Sequence, residues 1–338
     1  MLLGHQTWSF ENTPVILSTG IVGGPFESQG NIVNDYDVLH DDMWIKQTSF
    51  EKAQQIMMEE ASDIALKKVN METGQVQFFI SGDLINQITP STFAARTIGV
   101  PYFGLFSACA TSMEGLALAA MIVNGNGANY ILTGASSHNA SAERQFRNPT
   151  EYGGQKPPTS QWTVTGAGCA LVAKEGDGPL ITSATVGKIV DLGMTDPNNM
   201  GAAMAPAAAD TIMTHLKERN IDSSYYDLII TGDLGRLGRK LSLDLLNKNG
   251  LNIKEDQYAD SGIIIYKEEQ PVFSGGSGPA SSAVVMYGHI INLMKKGVLN
   301  RVLLVATGSL HSPMSVQQGD TIPGIAHAVS IESGRDIT

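Results

Sequence analysis

Two cysteines in 338 residues, Cys109 and Cys169, are too few for a disulfide framework and point to a reducing compartment. Basic residues are scarce as well: 22 Lys and Arg stand against 33 Asp and Glu, a formal net charge of −11. Such a chain lacks the basic face that nucleic acid demands, and charge alone does not draw it to an anionic membrane. No apolar run approaches the roughly 20 residues of a membrane-spanning helix. The opening residues, MLLGHQTWSFENTP, show neither the basic nor the apolar segment of a signal peptide. The expectation is a soluble, cytoplasmic-type protein that reaches a membrane only through partners. No His, Cys and carboxylate cluster has metal-ligand spacing. The glycine-rich Ser274–Ser282 (SGGSGPASS) lacks the lysine of a phosphate-binding loop. Neither a metal nor a cofactor is therefore expected.

What is abundant is apolar and small. Hydrophobic residues make up 42% and charged residues 16%, the balance of a compact protein with a large core. The chain is long for one core and suggests two domains or a duplicated unit.

The most informative stretch runs from Tyr102 to Val123. An apolar run, Tyr102–Phe106, breaks at Ser107-Ala108-Cys109, and helix-period residues follow from Met113 to Val123. This pattern is strand, tight turn, helix, with Cys109 where the helix starts. A thiol there meets unpaired N–H groups and the positive end of the helix dipole, both of which favour thiolate. The alternatives are a pocket-lining residue or a small buried residue that fills the turn. For Cys169 the core reading is the natural one.

Strands are expected at Pro14–Gly20, Val76–Ile80, Tyr130–Thr133, Thr165–Ala173, Leu180–Asp191, Asp227–Thr231 and Arg301–Ala306. Helices are expected at Ser49–Val69, Thr92–Ile98, Ala202–Arg219 and Ala280–Lys296. Asn31–Asp42 and Ser141–Pro158 are expected to be loops, the latter carrying Arg144, Arg147, Tyr152 and Lys156. Two blocks recur. Val76–Leu84 (VQFFISGDL) parallels Tyr226–Leu234 (YDLIITGDL), with Gly-Asp-Leu shifted by 150 residues. Ser107–His138 parallels Ser277–His311 as turn, helix, strand, glycine and a final histidine. A duplicated α/β plan follows, with halves 1–177 and 178–338 joined near Lys174–Pro179. In such sheets ligands gather beyond the carboxyl ends of the strands. Asp83, Cys109, His138, Asp233 and His311 all fall there. Arg236, just past Asp233, is a candidate anion contact or a solvated surface residue, and the two aspartates are equally readable as turn caps.

The order of these elements resembles the thiolase-like superfamily of thiolases and ketoacyl synthases. The residues that carry the likeness are Ser107-Ala108-Cys109-Ala110, Arg147-Asn148-Pro149-Thr150 leading to Thr165–Gly168, and Leu303–Ser309. More narrowly, Gln6–Ile16, Ser107–Ala119 and Val164–Pro179 resemble the stage V sporulation AD family of spore-forming Firmicutes. The resemblance implies a duplicated αβαβα five-layer fold with two mixed, mostly parallel sheets. It implies a homodimer paired through Tyr102–Phe106, and work with membrane proteins of the same sporulation operon. It implies dipicolinic acid as ligand, alone or with calcium, taken into the developing spore and released at germination.

Active members of the superfamily pair the cysteine with histidine, or with histidine and asparagine, from the second half. At the first of those positions this chain has Gly232-Asp233, and at the second Gly275–Pro279, with no His or Asn. The resemblance therefore implies a binding protein that kept the substrate cleft, with Asp83, Cys109, His138, Asp233, Arg236, Gly276, Ser277, Gly308 and His311 around the ligand. The competing expectation is an acyltransferase using Cys109 with His138 or His311.

Overall fold

The computed structural model describes residues 1–147 and 154–334. The first half carries β1 (Thr7–Ser9), β2 (Val15–Gly23), β3 (Val38–Leu39), α1 (Phe50–Lys67), β4 (Phe78–Gly82), α2 (Thr89–Ile98), β5 (Tyr102–Gly104), α3 (Thr111–Asn124), β6 (Tyr130–Ser137), α4 (Asn139–Arg147), β7 (Trp162–Thr163) and β8 (Gly166–Ala173). The second carries β9 (Leu180–Val186), α5 (Met200–Arg219), β10 (Leu228–Thr231), α6 (Gly235–Lys248), β11 (Tyr258–Asp260), α7 (Ser261–Ile264) and β12 (Gly276–Ser277). It ends with α8 (Pro279–Val284), α9 (Ile291–Lys295), β13 (Arg301–Ser309), α10 (Pro313–Gln317) and β14 (Gly324–Glu332). The stretch expected as one helix, Ala280–Lys296, is α8 and α9 joined through a π-helical segment, Val285–Ile290.

The strands lie in the order β11-β10-β13-β14-β9-β2-β8-β6-β4-β5. Read outward from the middle, the first half runs β2-β8-β6-β4-β5 and the second β9-β14-β13-β10-β11, so equivalent strands take equivalent places. The two expected sheets meet where β2 pairs with β9 at Val15 and Leu180, and β1 of the first half also pairs with β9, which joins them into one hydrogen-bonded surface. Outer pairs such as β4 with β5 and β10 with β11 are parallel, because each pair is linked by a crossover helix. Inner pairs such as β6 with β8 and β13 with β14 are antiparallel.

Neighbouring strand residues point to opposite faces, and the core shows it. Ile80, Ile131, Val172, Ile230 and Leu304 pack into a central cluster with α3 and the α8–α9 segment. Their neighbours Phe79, Leu132 and Leu171 pack outward under α1 and α2. Ile229 and Leu303 likewise pack under α5 and α6. Five layers result: helices, sheet, central helices, sheet, helices. The central layer is closed by polar contacts as well, Ser112 Oγ lying 2.6 Å from Ser282 Oγ and Tyr287 Oη donating to the Ser112 carbonyl at 2.7 Å. Leu116 of α3 is fully buried there; its replacement by alanine costs about 2–5 kcal/mol.

Ser49 caps α1 as expected, its hydroxyl accepting from the Lys52 N–H. The expected loop Ser141–Pro158 is corrected in its first part. Asn139–Arg147 is helical, with Ala142 buried on one side and Glu143 bridging Arg147 four residues on. Its polar composition hides the apolar period. Several elements have no sequence-based counterpart, among them α6, β3, which pairs with β2 inside the expected loop Asn31–Asp42, and β14, which pairs with both β13 and β9.

Candidate binding cavity at Cys109

Cys109 sits in the turn before α3, with Ala110 at the N-cap. Ala108 adopts a left-handed backbone, φ 47°, a strained conformation for a residue with a side chain. The turn rests on β13. A side chain at Gly308 would put its first carbon 2.4 Å from the Ser107 carbonyl oxygen, so only glycine lets the strand pass. The Ser107 N–H donates to Thr111 Oγ1 at 3.2 Å, and the Thr111 hydroxyl donates to the Ala108 carbonyl at 2.8 Å.

Asp233 faces the sulfur from the second half. Its Oδ1 accepts from the Thr307 hydroxyl at 2.8 Å and its Oδ2 from the Gly278 N–H at 3.0 Å. Both groups are buried. Burial, then the Asp233 charge and its hydrogen bond to the thiol, push the Cys109 pKa well above the ordinary value. Backbone N–H groups of Gly278 and Cys109 itself pull the other way and do not prevail. Burial also raises Asp233, to about 7, against hydrogen bonds from Cys109 and Thr307. Cys109 is thus a neutral thiol at neutral pH, whatever its place near a helix start.

A cavity of about 160 Å³ opens above the thiol. Ala108, Cys109, Ser277, Phe106, Leu84, Ser309, His311 and, from α10, Val316 and Gln317 line it. The short parallel pair of β7 and β12 sets Thr163 beside Ser277, which carries Ser277 to the wall. Helix α4 contributes Glu143, Phe146 and Arg147, and the segment leading to β7 contributes Lys156, Ser160 and Gln161. Asn198 arrives from just before α5.

Glu143 Oε1 accepts from the Lys156 ammonium, and its Oε2 lies 3.2 Å from Arg147 Nε. Arg147 also donates to Asn198 Oδ1 at 3.0 Å. The side chains of Lys156, Arg147 and Glu143 are only 13%, 14% and 19% exposed, so water screens these charges weakly. The Lys156 ammonium also lies 5.7 Å from the Trp162 ring centre. Gln161 Nε2 donates to the Asp233 and Gly276 carbonyls at 2.6 and 3.1 Å, while Gln161 Oε1 is buried with no partner among the described residues.

Of the residues singled out in the sequence, Cys109, Ser277 and His311 line the cavity, with Asp233 directly behind the thiol. Gly276 and Gly308 shape the backbone beneath. Three others stand elsewhere. Asp83 accepts from the Ile85 and Ser91 N–H groups and from the Ser91 hydroxyl, closing the turn that leads to α2. The His138 ring donates from Nε2 to the Met43 carbonyl and accepts from the Ala140 N–H, stacked on Phe50. Arg236 is exposed at the start of α6. His311 is held by Ser309 Oγ at 3.0 Å, and burial lowers its pKa. No histidine is hydrogen-bonded to the Cys109 sulfur among the described residues. The expected contributions of Asn148-Pro149-Thr150 and Tyr152 lie outside the described residues. From the sequence, Arg147 is expected on a solvated or interface loop, with Lys156 farther along the same loop. The signal that could have placed them is the Glu143–Arg147 spacing, which is that of a helix.

The family profile described as Stage V sporulation protein AD matches residues 4–332. The chain belongs to that family. It is 47% identical to Stage V sporulation protein AD of Bacillus subtilis (strain 168) over 331 residues, 98% of both chains. Solved structures of similar fold share far less sequence. The 3-oxoacyl-[acyl-carrier-protein] synthase III of Aquifex aeolicus VF5 superposes with a TM-score of 0.58 at 14% identity, covering 94% of this chain and 99% of that one. Cerulenin-bound OleA of Xanthomonas campestris gives 0.62 at 13%, covering 96% and 100%. Human mitochondrial 3-ketoacyl-CoA thiolase gives 0.57 at 12%, covering 98% and 100%. These likenesses show a thiolase-like fold. Among the described residues no helix is long and apolar enough to cross a membrane.

Proposed function

We propose that the cavity at Cys109 binds a small aromatic dicarboxylate, of which dipicolinic acid is the candidate, and that the chain works as a binding protein of sporulation rather than as an enzyme. One observation carries the reading: two largely buried cationic side chains, Lys156 and Arg147, line the cavity, where a charge-assisted hydrogen bond to a ligand carboxylate is strong. Phe106 and Phe146, both in the cavity lining, offer apolar surface to a flat ring. Calcium travels with the ligand if the chelate rather than the free acid is bound. In this reading Asp233 argues against catalysis, because a carboxylate beside the thiol opposes the thiolate that acyl transfer needs.

The same proposal includes uptake of the ligand into the developing spore, its release at germination, and contact with membrane proteins of the sporulation operon that bring the chain to the inner spore membrane. It includes a homodimer. β5 is the edge strand of its sheet, and Phe103 and Phe106 beside it are 47% and 55% exposed. The halves 1–177 and 178–338 are read as one duplicated unit, a view supported by the repeated strand order.

Calorimetric titration with dipicolinate, with and without calcium and with benzoate as control, tests the ligand. Saturable heat for dipicolinate is expected, and its absence would sink the proposal. A second reading, acyl transfer through Cys109, draws on the Gly278 and Cys109 N–H groups near the sulfur. Incubation with acetyl-CoA and mass spectrometry separates the two: an acylated Cys109 supports transfer, and an unmodified one supports binding.

A further inference from the structure

Gln161 and Asn198 both bring a primary amide to the cavity lining, and they are wired in opposite senses. Gln161 uses its nitrogen inside the protein, donating from Nε2 to the Asp233 and Gly276 carbonyls, and its oxygen is buried. Asn198 uses its oxygen. Its Oδ1 accepts from Arg147 Nη1 at 3.0 Å and from the Ser160 hydroxyl at 3.3 Å. A guanidinium carries only donors, so the amide atom that faces it is the oxygen, and Nδ2 takes the other arm of the amide.

This Nδ2 has no partner among the described residues. It is not sealed in either: the buried unpaired atom next to it in the chain is Asn199 Oδ1, whereas Asn198 Nδ2 keeps accessible surface. The backbone holds the arrangement. Pro197 restricts the chain just before Asn198, and Asp196 Oδ1 accepts from the Asn198 N–H at 2.9 Å, closing a turn ahead of α5. Asn198 thus ties that turn to Arg147 of α4 and to Ser160 on the segment leading to β7.

A lysine ammonium attracts any anion and turns freely on its stem. An amide held by its oxygen offers its N–H donors in a fixed plane. Donors left unpaired at a cavity favour a ligand that brings an acceptor and disfavour one that does not. We infer that Asn198 is a specificity-determining residue of the cavity, its Nδ2 donating to a carboxylate of the bound ligand beside Lys156 and Arg147. The inference rests on the dicarboxylate reading proposed above and adds to it a directional contact that charge alone does not supply.

Asn198→Asp keeps an oxygen for Arg147 and Ser160 while replacing the donor by an acceptor. Calorimetric titration of the whole chain with dipicolinate is expected to show saturable binding by the wild type. Binding at least about tenfold weaker is expected in Asn198→Asp, with no loss of thermal stability, and also in Asn198→Leu, which removes the donor without adding a charge. A second measurement uses the wild type alone: the Asn198 side-chain amide proton resonances, assigned in the labelled protein, are expected to shift downfield at saturation with dipicolinate. Equal affinity of the wild type and the folded variants, or amide resonances that do not move, would overturn the inference and leave the dicarboxylate reading standing. Absence of saturable binding by the wild type would overturn both, so the two failures are told apart.

Discussion

Cys109 and Asp233 face each other across the two halves, a thiol from the turn before α3 against a carboxylate from the turn after β10. Burial and, after it, the carboxylate raise the thiol pKa, and the thiol, Thr307 and Gly278 together hold the carboxylate. The pair therefore stabilises the neutral form of the cysteine, the opposite of what a helix-start nucleophile needs.

Asp233→Asn removes the charge and keeps the shape. The Cys109 pKa is expected to fall, and alkylation by iodoacetamide at mildly alkaline pH to speed up by about tenfold or more, since each pKa unit is a tenfold change in thiolate. Wild-type Cys109 should alkylate far more slowly than a free peptide thiol. A pH–rate profile for the two proteins checks both statements.

Glu27 is fully buried, accepts from Tyr266 Oη and from the Thr165 N–H, and has its pKa raised by burial from 4.5 to about 7. The folded chain thus holds this proton more tightly than the unfolded chain. The resulting stabilisation is complete below about pH 4.5 and is lost as pH rises through about 7, a change of about 3 kcal/mol. Glu27→Gln should flatten that slope, gaining on the wild type as pH rises from 5 to 8 (urea denaturation at each pH, roughly).

Gly308→Ala sets a methyl group against the Ser107 carbonyl, backbone that has little room to give. A destabilisation of about 1–3 kcal/mol is expected, together with weaker ligand binding through the displaced turn. Denaturant melts beside dipicolinate titrations measure the two effects separately.

Much of the fold was legible in the chain because it rests on local signals. The apolar runs Val76–Ile80 and Asp227–Thr231 correspond to β4 and β10, and the Gly-Asp-Leu repeat marks equivalent strand ends. The same repeat misleads about the site. Asp83 and Asp233 hold matching sequence positions, yet Asp83 caps its own turn while Asp233 turns to the cysteine. In the second half capping falls to Asp260, which accepts from the Leu234 and Gly235 N–H groups and frees Asp233. His138 and His311 diverge likewise, one stacked on Phe50 and the other at the cavity. Arg147, Lys156 and Asn198 come together only through tertiary packing of polar segments, which carry no apolar period to read.

The central claim is that Lys156 and Arg147, the cationic side chains on the cavity wall, bind the carboxylates of an aromatic dicarboxylate. Its most direct test is titration of the wild type and of Lys156→Met with dipicolinate in one buffer. The account predicts saturable binding by the wild type and at least about tenfold weaker binding by the variant, with folding preserved. Equal affinity of the two proteins, or no saturable binding by the wild type, would contradict it.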